Sequence, residues 1–486
     1  MVEKTVQNRY NRDISIKRAA GRFFPARNKI KGEWQMKRLL SAALALCLLL
    51  AGCSGGGGGA AGTAENAGAA ATPGPAAPPA AETLNVYYEQ ENAAAAKALE
   101  AYAADRGAVI NTVEDPAQAG LAVLAGEPGE TGAYRDFSGD SLLSAAARRA
   151  GLDPAGCVSL PMGKTLYAYW ADTDLLGALL GGDFNIANMQ NATWEEWSAF
   201  VDTLAGWIAE PGEAEVTLSG VTYTLPAEKP EAAASLNGVF ALAGGADAFT
   251  GAAYSAALVA AGGQQTDEAL AGPLAALLNC FELETDHMAG PDGTLARGPE
   301  LPRLSVGEAT ALLGGGQALF YRGRLTDATT TLDGDFCQHL APVPQKCPLT
   351  EEEVAAPDYN VAGLLNYPVL VSAGRLAIPA AADESAAKAA GGFIVWLYAS
   401  GAGTAELTDS LGMITPWNTA SDTTALGAMQ VKLVSTGVIP GAELADGAMQ
   451  AAKAAMEGPL TTADWKNTTR ADFIAAAEQA LGVAVE

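Results

Sequence analysis

The chain has 486 residues, a formal net charge of −26 at pH 7 and 17% charged residues. This length is enough for two or three domains with a large core. The negative charge argues against nucleic acid or an anionic membrane surface as a partner, because both would repel the protein.

The first 52 residues have the pattern of a targeting segment. Residues 1–35 contain nine Lys or Arg and no apolar periodicity, whereas "MKRLL" at Met36 begins a basic segment that leads into an apolar run at 39–50. We therefore predict that 1–35 is an upstream mis-start and that 36–52 is a signal peptide. Twelve helical residues rise only about 18 Å, which is too short to span a hydrocarbon core of about 30 Å.

The apolar run ends in "LAGC", residues 50–53, which resembles the lipobox of bacterial lipoproteins. The resemblance implies that Cys53 is lipidated and becomes the mature N-terminus; the alternative is an ordinary signal that contains a cysteine. Residues 53–83 are rich in Gly, Ala and Pro, which predicts a flexible tether with a reach of roughly 30 Å. Removal of the first 52 residues takes away 11 of 29 basic and 3 of 55 acidic residues, so the remaining 434 carry a charge of −34.

The segments after the tether predict an α/β fold. Strand patterns at 83–90, 108–113 and 120–125 surround a helix pattern that ends at Gly107. A strand, a helix and a strand at this spacing predict a βαβ unit in a largely parallel sheet. Because ligands of such sheets bind at the carboxyl ends of the strands, "YYEQEN" at 87–92 is a candidate binding segment.

Further elements alternate along the rest of the chain. Thr193 and Glu196 form a capping-box pattern at the start of a helix over 191–208, with Phe200, Leu204 and Trp207 on one face. The other predicted elements are the strand "TLYAYW" followed by a helix start within 158–181, a hairpin at 215–225, a helix and a strand within 305–324, and a strand and a helix within 375–400.

Four of these segments, in order, resemble the extracellular solute-binding proteins of bacterial ABC importers, most closely family 1, the maltose-binding-protein-like carbohydrate binders. The segments are "LPMGKTLYAYWADTDLL", "ATWEEWSAFVDTL", "VGEATALLGGGQALFYRG", and "APVP" followed by "RLAIPAAADESAAKAAGGFIVWLYAS" and "LGMITPW". The chain departs from the family pattern at Ala171, Asp172 and Gly120, which leaves the class of ligand less defined.

The resemblance implies the type II periplasmic-binding-protein-like fold, with two discontinuous α/β lobes that are joined by hinge crossings. Lobe 1 would comprise 84–163 and 345–409, and lobe 2 would comprise 164–344 and 410–486. The crossings would lie near Lys164, near 343–345 and after Ser400.

Sugar binding needs aromatic rings flanked by carboxylates, amides and arginine. Tyr88, Glu89 and Gln90 are candidates that follow the first strand, and Trp170 is a candidate in the crossing segment. Tyr321 and Arg322 occupy a position where family members often have an aromatic residue, and Trp417 follows the "ITP" turn. The alternative for each ring is a place in the hydrophobic core.

The resemblance implies a solute receptor that is lipid-anchored on the outer face of the bacterial cytoplasmic membrane. It would bind a sugar or oligosaccharide by lobe closure and deliver it to the transmembrane subunits of an ABC permease. The membrane would be contacted only through the lipid, and the protein would be a monomer with no cofactor. The alternatives are a sensor or interaction lipoprotein with the same fold, and an importer receptor for a non-sugar solute.

Catalytic and metal-binding patterns are weak in this sequence. The S-x-x-K at 385–388 has no S-D-N or K-T-G after it, and the two histidines lie in loop-like stretches, so we expect neither an enzyme nor a metal site. Cys337 and Cys347 are close enough in sequence to close a short loop if they are oxidised.

Overall fold

The structure is a computed structural model that describes residues 82–129, 132–243, 283–284, 286–293, 304–344, 346, 369–417, 426 and 428–429. All of these residues belong to one compact unit, Pro79–Glu486. The predicted mis-start, the signal peptide, Cys53, nearly all of the tether and Cys347 therefore lie outside the described residues.

The described part of the chain contains twelve strands and ten α-helices. The strands are β1 (Thr83–Tyr88), β2 (Val109–Val113), β3 (Leu121–Leu124), β4 (Ser159–Pro161), β5 (Lys164–Asp172), β6 (Ala214–Leu218), β7 (Val221–Leu225), β8 (Gly238–Leu242), β9 (Ala318–Arg324), β10 (Leu340–Val343), β11 (Val369–Ser372) and β12 (Arg375–Ala377). The helices are α1 (Ala93–Arg106), α2 (Ser141–Arg149), α3 (Thr173–Leu180), α4 (Ile186–Gln190), α5 (Trp194–Ala209), α6 (Val306–Gly314), α7 (Leu325–Thr331), α8 (Gly334–Cys337), α9 (Glu384–Ala399) and α10 (Gly401–Ala405), followed by a π-helical turn (Glu406–Ser410). None of these helices is both long enough and apolar enough to cross a bilayer.

The first sheet has the strand order β2-β1-β3-β12-β4. β1 pairs in parallel with β2 and with β3, and α1 connects β1 to β2, so the predicted βαβ unit is confirmed. β12 enters from a distant part of the chain and runs antiparallel to both β3 and β4.

The ends of α1 are set by its flanking residues. Asn92 is the N-cap, and its side-chain oxygen accepts a hydrogen bond from the Ala95 amide at 2.9 Å. Gly107 follows the helix with φ = +69°, the left-handed conformation that the predicted stop requires.

The second sheet has the order β10-β5-β9-β8, with β11 also paired to β5. β10 and β11 pair antiparallel to successive halves of β5, and β9 also runs antiparallel to it. Only β8 and β9 are parallel among these strands. The expectation of a largely parallel sheet therefore holds for the core of the first sheet and is wrong for the second.

The capping box of α5 is confirmed. The Thr193 hydroxyl accepts a hydrogen bond from the Glu196 amide at 3.2 Å, and the Glu196 carboxylate accepts one from the Thr193 amide at 3.1 Å. Phe200, Leu204 and Trp207 are all buried, as the helical periodicity predicts.

Each of the two sheets packs into a hydrophobic core of its own. We call β1–β4, β12, α1, α2 and α9 the first lobe; its core includes Val86, Leu99 and Phe393. We call β5–β11 with α3–α8 the second lobe; its core includes Trp197 and Phe320, whose ring centroids are 5.2 Å apart. Burial of such side chains contributes about 1.5–3 kcal/mol each.

Three passages of the chain between the lobes lie side by side, and we call them the crossings. Lys164 and Ile414 exchange two backbone hydrogen bonds of 2.8 Å, and the Ala373 amide donates to the Gly163 carbonyl at 3.0 Å. Because β11 (Val369–Ser372) pairs with β5, the return to the first lobe falls between Ser372 and Arg375. The sequence predicts a crossing near 343–345 and places all of 345–409 in lobe 1. The structure instead pairs β11 with β5 of the second lobe.

Candidate functional site

A cavity of about 600 Å³ lies beside the carboxyl end of β1. One wall is made by β1, β2 and α1 of the first lobe, and the other is made by the end of α7 in the second lobe. Its lining residues are Tyr88, Glu91, Asn92, Ala93, Ala96, Lys97, Glu100, Thr112, Thr330 and Thr331. A cavity of this volume is within the range that holds a small ligand.

A second, narrow pocket of about 50 Å³ adjoins the same loop. Gln90, Glu91 and Asn92 contribute to it from the first lobe, and Arg324 contributes from the second. The loop from β1 to α1 therefore faces both pockets, as expected for the carboxyl end of a strand in this kind of sheet.

Tyr88 is the predicted aromatic residue that reaches the large cavity. Its ring is half-buried against the core of the first lobe. Burial, together with the negative charge of Glu100, raises the pKa of Tyr88 to about 12. The phenol therefore stays protonated at neutral pH, where it can donate one hydrogen bond and offer one face of its ring.

Glu89 and Gln90 are exposed at the same edge of the sheet. The Glu89 carboxylate accepts a hydrogen bond from the Ala125 amide at 2.8 Å, and the Glu89 amide donates to the Val123 carbonyl at 3.0 Å. These bonds tie the end of β1 to the end of β3. Gln90 lines the narrow pocket, whereas Glu89 lines neither pocket.

Trp170 is a core residue. Its side chain is fully buried, and its indole N–H donates a hydrogen bond to the Gly323 carbonyl at 2.9 Å. The ring has no exposed surface in this structure, so the predicted contact with a ligand is corrected to a packing role.

Tyr321 and Arg322 are also corrected to core positions, since they are 1% and 2% exposed. The Tyr321 hydroxyl donates to the Asp327 carboxylate at 2.9 Å. Burial, with the negative charge of Asp327, raises the pKa of Tyr321 well above its usual value. Arg322 forms a buried ion pair with Glu284.

The physical reason for these core positions is the place of β9 in its sheet. β9 is flanked by β5 on one side and β8 on the other, so residues in the middle of the strand pack into the core on both faces. Arg324, the last residue of β9, is the one that reaches a pocket. Tyr321 and Arg322 therefore lie three and two residues, respectively, before the carboxyl end of the strand.

Trp417 packs against the first lobe. The guanidinium carbon of Arg149 lies 4.0 Å from the centre of its ring, and the ring centroid of Tyr398 lies 5.1 Å away. Trp417 is half-buried and lines neither of the two pockets described above. The structure therefore brings Tyr88 and Gln90 together at the β1 loop, with Trp417 placed elsewhere.

The sequence reasoning missed the face of α1 that lines the cavity. Ala93, Ala96, Lys97 and Glu100 follow the spacing i, i+3, i+4 and i+7, which places them on one side of the helix. This stripe begins five residues after Tyr88, so it could have been found from the predicted helix. The hydroxyl-bearing wall at the end of α7 could not, because nothing local in the sequence places it opposite α1.

The described cysteines are free thiols. Cys337 is buried, and its Sγ lies 3.7 Å from the Ala328 carbonyl, to which it donates. Burial raises the pKa of the Cys337 thiol to about 11. Within the described ranges, no group of three or more His, Cys, Asp or Glu side chains is placed to hold a metal ion.

Solved structures of bacterial solute-binding proteins have a similar fold. No family model matches the chain, and no curated protein matches it in sequence. A similar structure is an ABC transporter solute-binding protein from Agrobacterium radiobacter in complex with ribitol, with 15% identity, a TM-score of 0.50, and coverage of 82% of this chain and 97% of that one.

Maltose-bound MalE3 from T. maritima is similar as well, with 11% identity and a TM-score of 0.51. That alignment covers 82% of this chain and 99% of MalE3. At these identities the likeness concerns the fold. The chain has the two-lobed α/β fold of the type II periplasmic binding proteins, as the sequence predicts.

Proposed function

We propose that this protein is the extracellular receptor of a bacterial ABC importer and that it binds a sugar or a polyol between its lobes. The observation that carries the proposal is the cavity of about 600 Å³, whose walls come from both lobes. A similar fold occurs in a solute-binding protein in complex with ribitol and in maltose-bound MalE3. The protein would pass its solute to the permease without transforming it.

The lining of the cavity supports a hydroxyl-rich solute. Tyr88 offers an aromatic face, and Thr112, Glu91 and Glu100 offer oxygen atoms that accept hydrogen bonds from hydroxyl groups. Since the two walls belong to different lobes, a rotation that closes the lobes would surround the solute and exclude water from these contacts.

A melting screen of the mature protein tests this function. The panel holds monosaccharides, oligosaccharides and polyols, with amino acids, peptides and polyamines as controls. A solute that binds only the folded state stabilises it by about 2.7 kcal/mol at one hundred times its dissociation constant, which raises the melting temperature by a few degrees.

Tyr88 and its neighbour Tyr87 provide a matched pair of variants. Tyr88→Ala removes the ring that lines the cavity, whereas Tyr87→Ala removes a ring that packs against Ala122 and Leu124 in a separate small cluster. We expect Tyr88→Ala to abolish the shift caused by the solute and Tyr87→Ala to keep it. A loss of about 3 kcal/mol or more of stability in unliganded Tyr88→Ala would instead identify Tyr88 as a core residue.

The remaining outcomes of the screen separate the alternatives. A shift with a polyamine, an amino acid or a peptide, and with no sugar or polyol, would show a receptor for another class of solute. A panel without any shift would favour a sensor or interaction lipoprotein that has the same fold.

We further propose that the receptor is anchored through a lipid on Cys53, the first residue of the predicted tether at 53–83. Mass spectrometry of the membrane-extracted protein should find an acylated Cys53 at the N-terminus. A gene that starts at Met36 should give the same product in the same amount. A mature protein that still contains residues from 1–35 would contradict both expectations.

A further inference from the structure

Lys97 joins the two lobes at one end of the large cavity. It projects from α1 of the first lobe, and its ammonium group donates a hydrogen bond to the backbone carbonyl of Thr329 in α7 of the second lobe. That carbonyl belongs to the last turn of α7, where carbonyl groups lack partners within the helix. A cation placed there also interacts favourably with the helix dipole. Lys97 therefore caps a helix of the opposite lobe.

Thr329 continues the connection toward the crossings. Its side chain is buried, and its hydroxyl donates to the Leu411 carbonyl at 3.1 Å. Leu411 follows the π-helical turn (Glu406–Ser410) and lies three residues before Ile414, which pairs with Lys164. We call Lys97, Thr329 and Leu411 the interlobe clamp.

Glu406 provides a separate sign that the charge of Lys97 lies in this region. Burial raises the pKa of Glu406, and a side-chain hydrogen bond with Ser410 and then the positive charge of Lys97 oppose that effect. One carboxylate oxygen of Glu406 is buried and has no hydrogen-bond partner in the described structure. The positive charge of Lys97 therefore favours the ionised form of this carboxylate.

The clamp is also part of the cavity. Lys97 lies in the wall formed by α1, and Thr330 and Thr331, the residues that follow Thr329, form the opposite wall. We propose that Lys97 is a positioning residue which, through Thr329, fixes the separation of the two walls and steadies the crossings. The role in solute binding rests on the proposed function, whereas the effect on the crossings does not.

Hydrogen exchange of the unliganded full chain tests the clamp. Lys97→Met keeps the length of the side chain and removes the ammonium group. We expect amide exchange at Lys164, Ala373 and Ile414 to increase at least tenfold, because their hydrogen bonds hold the crossings together. Amides in the middle of β1 and β9 should stay within about twofold of wild type.

Three further variants make the result specific. Lys97→Arg should restore the wild-type pattern. Thr329→Val removes the hydroxyl that lies 3.1 Å from the Leu411 carbonyl and 3.4 Å from the Thr326 carbonyl, and it should reproduce the effect of Lys97→Met. Lys388→Met is the matched control, because Lys388 is exposed on α9 of the same lobe. A uniform rise in exchange across both sheets, or no change at the crossings, would overturn the proposal.

Solute binding gives the second readout. For any sugar or polyol that shifts the melting temperature of wild type, we expect Lys97→Met to weaken binding at least fivefold and Lys388→Met to leave it unchanged. Unchanged affinity in Lys97→Met would refute the role in setting the cavity. A panel with no binding solute would refute the proposed function, while the exchange measurement would still decide whether the clamp holds the crossings.

Discussion

Lys346 is a buried lysine in the second lobe, and replacing it should change how stability depends on pH. Its side chain is 1% exposed, and its Nζ donates a hydrogen bond to the Gln190 carbonyl at the end of α4. Burial lowers the pKa of Lys346 from 10.5 to about 7, although the nearby carboxylate of Glu196 opposes this effect. The folded protein therefore disfavours the charged form of this lysine.

The sign of the effect follows from the two pKa values. In the unfolded chain Lys346 has a pKa of 10.5, so between about pH 7 and pH 10.5 the unfolded state binds more protons than the folded state. The free energy of unfolding therefore rises with pH across that window. The destabilisation caused by burying the charged lysine is largest below the window. At about 1.4 kcal/mol per pH unit, the contribution of Lys346 between pH 7.5 and pH 9 is about 2 kcal/mol.

Urea unfolding of wild type and Lys346→Met at both pH values isolates this contribution, because every other titrating group is common to the two proteins. At each pH, the free energy of unfolding of wild type is subtracted from that of Lys346→Met. We expect this difference to be about 2 kcal/mol more positive at pH 7.5 than at pH 9. Lys388→Met removes a charge from an exposed position and should keep the wild-type dependence. An identical dependence in wild type and Lys346→Met would refute the reasoning.

Three other substitutions test the fold by urea unfolding. Gly163→Ala should lower the free energy of unfolding by about 2 kcal/mol, because Gly163 has φ = +143° and a Cβ there would lie 2.7 Å from the Ile414 carbonyl oxygen; an unchanged midpoint would show that the crossing accommodates a side chain. Thr193→Ala should cost about 1 kcal/mol through loss of the N-cap of α5, and a Ser replacement should recover most of it. Arg322→Met should cost about 3–5 kcal/mol, since it leaves the buried carboxylate of Glu284 without its ion-pair partner, and a cost below 1 kcal/mol would contradict that view of the pair.

Local sequence signals predicted most of the elements because the interactions that start and end them are local. The capping box at Thr193 and Glu196, the stop at Gly107 and the tight hairpin (β6 and β7) each depend on residues only a few positions apart. Such signals give element type and boundaries, and the structure confirms them here.

The arrangement of the second sheet could not be predicted in this way. β5 pairs with β9, about 150 residues later, and with β11, about 200 residues later. β10 pairs only with the second half of β5, and β11, a strand of four residues, pairs along the first half. A strand of apolar residues carries no signal for which sheet it joins, so the predicted boundary at 345 assigned β11 to the other lobe.

The candidate site was only partly predictable, since aromatic type alone does not separate a binding ring from a core ring. Tyr88 and Tyr321 have the same side chain, yet one lies at the end of an edge-proximal strand and the other lies inside a strand that is covered on both faces. The large cavity forms where α1 carries small side chains, Ala93 and Ala96, on the face that also carries Lys97. Space left by small residues gives no positive signal in a sequence. That space becomes a cavity only where a second wall, here the end of α7, lies opposite the helix. The residues of the α1 wall can be found from the sequence by following the face of the helix that comes after the first strand.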